Sequence, residues 1–175
     1  LIRALIKLLD GHPILDYLDS FRYPLAGEFA VSADLASNNR IPANWGLEIG
    51  MLTEVYRNTS LKRVCQVDLA ENYDHKHRPL SPRDPNKGLM KMSVDIADSI
   101  LRTLATEGVR MSRGFFRTLT TVYERSAEDT IKSYNDDALI NGFKFDRHSE
   151  TQAVETFTKS LQVAAQNFLE DPHGV

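Results

Sequence analysis

Apolar residues recur at helical spacing through the second half of this chain, and that pattern constrains its fold more than any other. Leu89, Ile96, Ile100, Leu101 and Leu104 make one stripe. Phe115, Phe116, Leu119, Val122 and Tyr123 make a second, which runs on toward Ile131 and Tyr134. After the turn signal Asn141-Gly142 a third follows: Val154, Phe157, Leu161, Ala164, Ala165 and Phe168. Positions three and four apart share one helix face, so each stripe must be covered. The last two helices can pack on each other, on a part of the protein outside this chain, or on a second subunit. Ser149-x-x-Gln152 predicts a capping box at the start of the third.

The first half is more broken. Ile2, Leu5, Ile6, Leu8 and Leu9 predict a helix that Gly11 and Pro13 end. Pro24 and Gly27 mark residues 20 to 31 as extended segment or turn, and a brief helix is predicted from near Ser32 until Asn38, Asn39 and Pro42 interrupt it. Leu47, Met51, Leu52, Val55 and Tyr56 predict a helix that opens at Trp45 or Gly46 and carries Glu48 in its first turn. From Leu61 to Leu69 the alternation of Cys65, Val67 and Leu69 with Val64, Gln66 and Asp68 predicts a strand. Residues 72 to 87 are polar, hold three prolines, and predict a loop.

Composition excludes several classes. A hydrophobic content of 42% and a charged content of 26% fit a soluble globular protein. The net charge of −3 gives no basic field for a nucleic-acid partner. No apolar run approaches the roughly 20 residues of a membrane span, so no membrane partner is expected. The single cysteine, Cys65, allows no internal disulfide and fits a reducing, cytoplasmic setting. The chain opens Leu1-Ile2-Arg3 inside a helical pattern and closes on loop-like residues to Val175, which predicts a piece of a longer enzyme.

The chemistry gathers in three short segments. The run Asp74-His75-Lys76-His77-Arg78-Pro79-Leu80 holds two imidazoles and two cations. Residues two apart in an extended loop face the same way, so His75 and His77 can share a metal site, with exposed loop histidines as the ordinary alternative. Lys76 and Arg78 can bind a phosphate or carboxylate, or simply face water. Glu48, between Leu47 and Ile49, can accept hydrogen bonds from sugar hydroxyls or merely favour the helix dipole. Gly27 permits a close ligand approach or a turn. Trp45 can stack on a sugar or fill the core.

Taken in order, Pro24-Leu-Ala-Gly-Glu28, Trp45-Gly-Leu-Glu-Ile-Gly50, Gln66-Val-Asp-Leu69 and His75-Lys-His-Arg-Pro-Leu80 resemble the glucosyl-3-phosphoglycerate synthases. The resemblance implies an α/β fold, the C-terminal part of a GT-A nucleotide-diphospho-sugar transferase. It would run over residues 1–88, with residues 89–175 as a helical C-terminal extension. It implies retaining transfer of glucose from a nucleotide-glucose donor to 3-phosphoglycerate, with Mg2+ or Mn2+ as cofactor and a homodimer as the assembly. In this resemblance His75 is the metal ligand. Leu25, Gly27 and Glu48 lie on the donor sugar, and Lys76, His77 and Arg78 hold the acceptor. The chain departs from the family pattern at Ala26, Lys76 and His77, and one extra residue separates Gln66 from His75. The Asp-x-Asp type motif for metal and diphosphate is expected upstream of Leu1, so the isolated chain is expected to be inactive. A related transferase using another sugar or acceptor is the near alternative. A non-catalytic helical interaction module and a zinc module on His75 and His77 are the distant ones.

Overall fold

The structure, a computed structural model, describes residues 1–40, 42–68 and 79–173. Seven α-helices make up its regular part: α1 (Ile2–Leu8), α2 (Pro13–Asp19), α3 (Ala33–Asn38), α4 (Leu47–Asn58), α5 (Gly88–Thr106), α6 (Arg113–Ile140) and α7 (Arg147–Glu170). Six of them close a ring in which neighbours pack on each other: α1 on α2, α2 on α4, α4 on α5, α5 on α7, α7 on α6, and α6 back on α1. The interior is one apolar cluster to which Leu5, Leu15 and Leu18, Ile49, Leu101 and Leu104, Leu119 and Leu161 contribute. Burying a side chain of that size stabilises by about 1.5–3 kcal/mol. The predicted stripes are the faces that pack, except that the α6 stripe ends at Ile131 and leaves Tyr134 62% exposed; α7 lies along both α5 and α6, and Leu161, Ala164, Ala165 and Phe168 are buried.

α5 is the spine. No residue from Gly88 to Ala105 is exposed, because helices or loops cover it all round. Its first turn is held from outside. The carbonyls of Pro79 and Leu80 accept the amides of Leu89 (3.0 Å) and Met90 (3.3 Å), which would otherwise be free N-terminal donors.

The α/β expectation is overturned, and the GT-A assignment with it: every regular element among the described residues is helical. The predicted strand Leu61–Leu69 is a 3-10 turn at Leu61–Arg63 followed by an irregular segment through Asp68. Alternation stabilises a strand only when a neighbouring strand supplies the hydrogen-bond ladder, and none of the described residues does. Cys65 and Val67 accordingly stay exposed, Val67 at 74%.

Two boundaries also differ from expectation. Pro13 ends no helix; it opens α2 as its first residue, where a missing amide costs nothing. α7 starts earlier than the Ser149 capping box predicts. Asp146 is the N-cap, its carboxylate accepting the Ser149 amide at 3.1 Å, since an aspartate at that position caps as well as a serine.

Candidate functional site

The segment Trp45–Gly50 is shaped by two close approaches. A β-carbon on Gly46 would fall 2.8 Å from Cβ of Ser99 on α5, and one on Gly50 would fall 2.3 Å from Cδ of Pro42. Only glycine lets the start of α4 lie this deep against its neighbours. The turn before α4 is tied by side chains: Asn44 Oδ1 accepts the Gly46 amide (2.9 Å), and Asp95 Oδ2 accepts the Trp45 amide (3.3 Å). Lys91 Nζ lies 3.0 Å from the same Asp95 oxygen and neutralises it. Glu48 therefore stands, half-buried, in the first turn of a helix whose depth and direction are fixed by α5 and Pro42. Trp45 is half-buried as well.

The Pro24–Glu28 segment reaches α5 from another side. The Ala26 amide donates to the Tyr23 carbonyl (3.2 Å), making a tight turn. Leu25, half-buried, joins Met92, Ser93, Ile96 and Ala97 of α5 around a cavity of about 200 Å3. Met92, Ser93, Ile96 and Ala97 line the cavity beside Leu25, while Asp95 and Ser99, on an adjoining face of α5, hold the start of α4. Gly27 is exposed, and no described residue lies where a β-carbon would stand. Its neighbours Glu28 and Phe29 are exposed too, and α3 buries nothing.

His75, Lys76, His77 and Arg78 lie outside the described residues. The chain re-enters at Pro79 and is pinned to α5 as above. Asp84 then folds the loop back: its carboxylate bonds the Lys87 ammonium (3.0 Å) and the Asn86 amide (3.0 Å), and these hold its pKa below the usual carboxylate value. Among the described residues no three His, Cys, Asp or Glu side chains cluster as a metal site would require.

A larger cavity of about 480 Å3 holds none of the expected site residues. It opens between α2, the end of α4 and residues 61–66. Tyr17, Phe21 and Tyr56 line it, with Tyr17 edge-on to Phe21 at 5.0 Å and tilted against Tyr56 at 5.2 Å. The Tyr17 hydroxyl is buried without a partner among the described residues, and burial pushes its pKa up.

Sequence reasoning missed Asp95 and Ser99 as supports of the α4 start. The legible signal was weak: Lys91 and Asp95 stand four apart on a helix, but nothing local ties them to Trp45. Ser99 is visible only through the glycine it excludes from any larger choice.

Compared with known proteins, the chain is 50% identical over all 175 of its residues to a glucosyl-3-phosphoglycerate synthase of Persephonella marina. It is 44% identical, over 99% of its length, to one of Methanococcoides burtonii. Along its whole length the chain belongs with the glucosyl-3-phosphoglycerate synthases. A synthase of that name from Mycolicibacterium paratuberculosis is 33% identical over 58 residues, a third of the chain. The chain spans 43% and 44% of the two more similar synthases, less than half of their length. No family model and no solved structure matches it. None of its described helices is long and apolar enough to cross a membrane.

Proposed function

We propose that the protein carrying this chain transfers glucose, with retention, from a nucleotide-glucose donor to 3-phosphoglycerate. The supporting observation is the 50% identity along the entire chain to a synthase of that name. In this reading Glu48 accepts hydrogen bonds from the donor sugar, and Leu25 and Gly27 line its other side. Adjoining faces of α5 support the two segments, a rigidity that suits an enzyme whose main task is to orient two substrates. Half-burial of Glu48 leaves it able to reach a ligand while shielding the contact from bulk water.

Lys76, His77 and Arg78 bind the phosphorylated acceptor in the same reading, since cations match its phosphate and carboxylate. A divalent ion, Mg2+ or Mn2+, belongs to it through His75, and the described residues supply no ligand cluster to complete such a site. The assembly is a homodimer, and the enzyme works in the cytoplasm. Leu139, Ile140 and Phe143, exposed at 69%, 82% and 71% where α6 turns into α7, offer an apolar surface for the second subunit.

The test is sugar transfer by the complete gene product with 3-phosphoglycerate and UDP- or GDP-glucose, with and without Mg2+. Formation of glucosyl-3-phosphoglycerate supports the reading. Transfer to a different acceptor, or no transfer from either donor, overturns it.

A further inference from the structure

Gln66 belongs to one of the four motif segments, yet the proposed reaction gives it no task. Its amide spans the chain from the irregular stretch after the 3-10 turn to the end of α2. Gln66 Nε2 donates to the Ser20 carbonyl at 2.9 Å, and Gln66 Oε1 accepts the Arg22 amide at 2.9 Å. One side chain thus satisfies an acceptor and a donor that flank Phe21, as the backbone of a paired strand would. Close by, Arg22 and Asp68 form an ion pair at 3.6 Å, both side chains largely in water. Ser20 caps the end of α2, and Tyr23 begins the turn that carries Leu25 and Gly27. The clamp therefore sits on the short tether between a buried helix and the donor-sugar segment.

We propose that Gln66 is a positioning residue for the Pro24–Glu28 segment: by bonding Ser20 and Arg22 it sets where that segment leaves α2, and so where Leu25 and Gly27 meet the donor. This rests on the functional reading above. Two hydrogen bonds in opposite senses fix both the distance and the rotation of the tether, which a single bond does not. Both are exposed, so the folded state depends on them little and variants at Gln66 fold.

The experiment compares the complete gene product with its Gln66→Ala and Gln66→Glu variants, using 3-phosphoglycerate and whichever of UDP- or GDP-glucose the wild type accepts. The KM for the donor rises about tenfold in Gln66→Ala, as a small misplacement of a binding segment would cause, while the KM for 3-phosphoglycerate and the Tm stay within about twofold and a degree or two of wild type. Gln66→Glu keeps the acceptor for the Arg22 amide and loses the donor to Ser20, so its donor KM falls between. Trypsin cleavage after Arg22, followed by mass spectrometry, reads the clamp without any activity and accelerates in Gln66→Ala. Faster cleavage with an unchanged donor KM would overturn the positioning role and leave the functional reading standing. An equal rise in both KM values with a lowered Tm would overturn it as well, since that is general loosening. A wild type that transfers no glucose overturns the functional reading and the role built on it together.

Discussion

A β-carbon on Gly50 would stand 2.3 Å from Cδ of Pro42, so the second turn of α4 presses directly on the loop before it. That contact and the matching one between Gly46 and Ser99 bracket Glu48 in sequence. The glycines of Trp45-Gly-Leu-Glu-Ile-Gly50 thus set the position of a carboxylate that neither of them touches chemically.

Gly50→Ala must push α4 or Pro42 aside. It is expected to destabilise the protein by about 1–3 kcal/mol, the usual cost of overpacking. Chemical denaturation of the complete gene product reads this directly. On the proposed reaction glucose transfer falls too, because Glu48 moves with the helix.

Gly27→Ala makes the opposite prediction. Among the described residues nothing lies where its β-carbon would go, so the Tm stays at the wild-type value. If Gly27 borders the donor sugar, the added methyl raises the donor KM. Calorimetry and initial rates on one preparation separate the two effects.

Arg102 joins α5 to the end of α7: its Nε lies 2.7 Å from Asp98 Oδ2, and its Nη1 donates to the Asp171 carbonyl at 2.8 Å. Arg102→Ala leaves Asp98 without its cation and removes the Arg102 donor from the Asp171 carbonyl at the end of α7. An expected loss of about 1–3 kcal/mol follows from a partly buried charge-assisted bond. Equilibrium urea unfolding measures it.

Tyr17→Phe removes a buried hydroxyl that has no partner among the described residues, and is expected to raise stability by about 1 kcal/mol. The pH dependence follows in sign. Burial raises the folded pKa of Tyr17 above its ordinary value of 10, and does the same to Tyr123. Their contribution is fully present below the unfolded pKa and is lost as pH rises beyond it, when the unfolded chain ionises first. The Tm therefore falls above about pH 10, and falls less steeply in Tyr17→Phe.

The helices were legible because their signal is local. The stripes of α5, α6 and α7 repeat over many turns, and the glycine and asparagine after Ile140 end α6 where expected. Ser32 likewise caps α3, accepting the Leu35 amide. The strand was not legible, because alternation over Val64–Leu69 describes a side-chain pattern and says nothing about a partner. Gln66 takes the place of that partner for two backbone groups, and no sequence rule announces a side chain bonding residues so distant along the chain. At the candidate site, Glu48 in the first turn of α4 follows from composition around it. That its depth rests on Pro42 and Ser99 does not, since one contact reaches back across the turn before α4 and the other joins residues on two helices far apart along the chain. The motif His75–Arg78 was read from residue types alone and lies outside the described residues.

The most direct test of the central claim is glucose transfer to 3-phosphoglycerate by the complete gene product, wild type against Glu48→Ala, with the Tm of each recorded. The expected result is product from the wild type, a loss of about a hundredfold in kcat/KM for Glu48→Ala, and matching Tm values. Full activity in Glu48→Ala would contradict the placement of the donor sugar at α4, and no product from the wild type would contradict the proposed reaction itself.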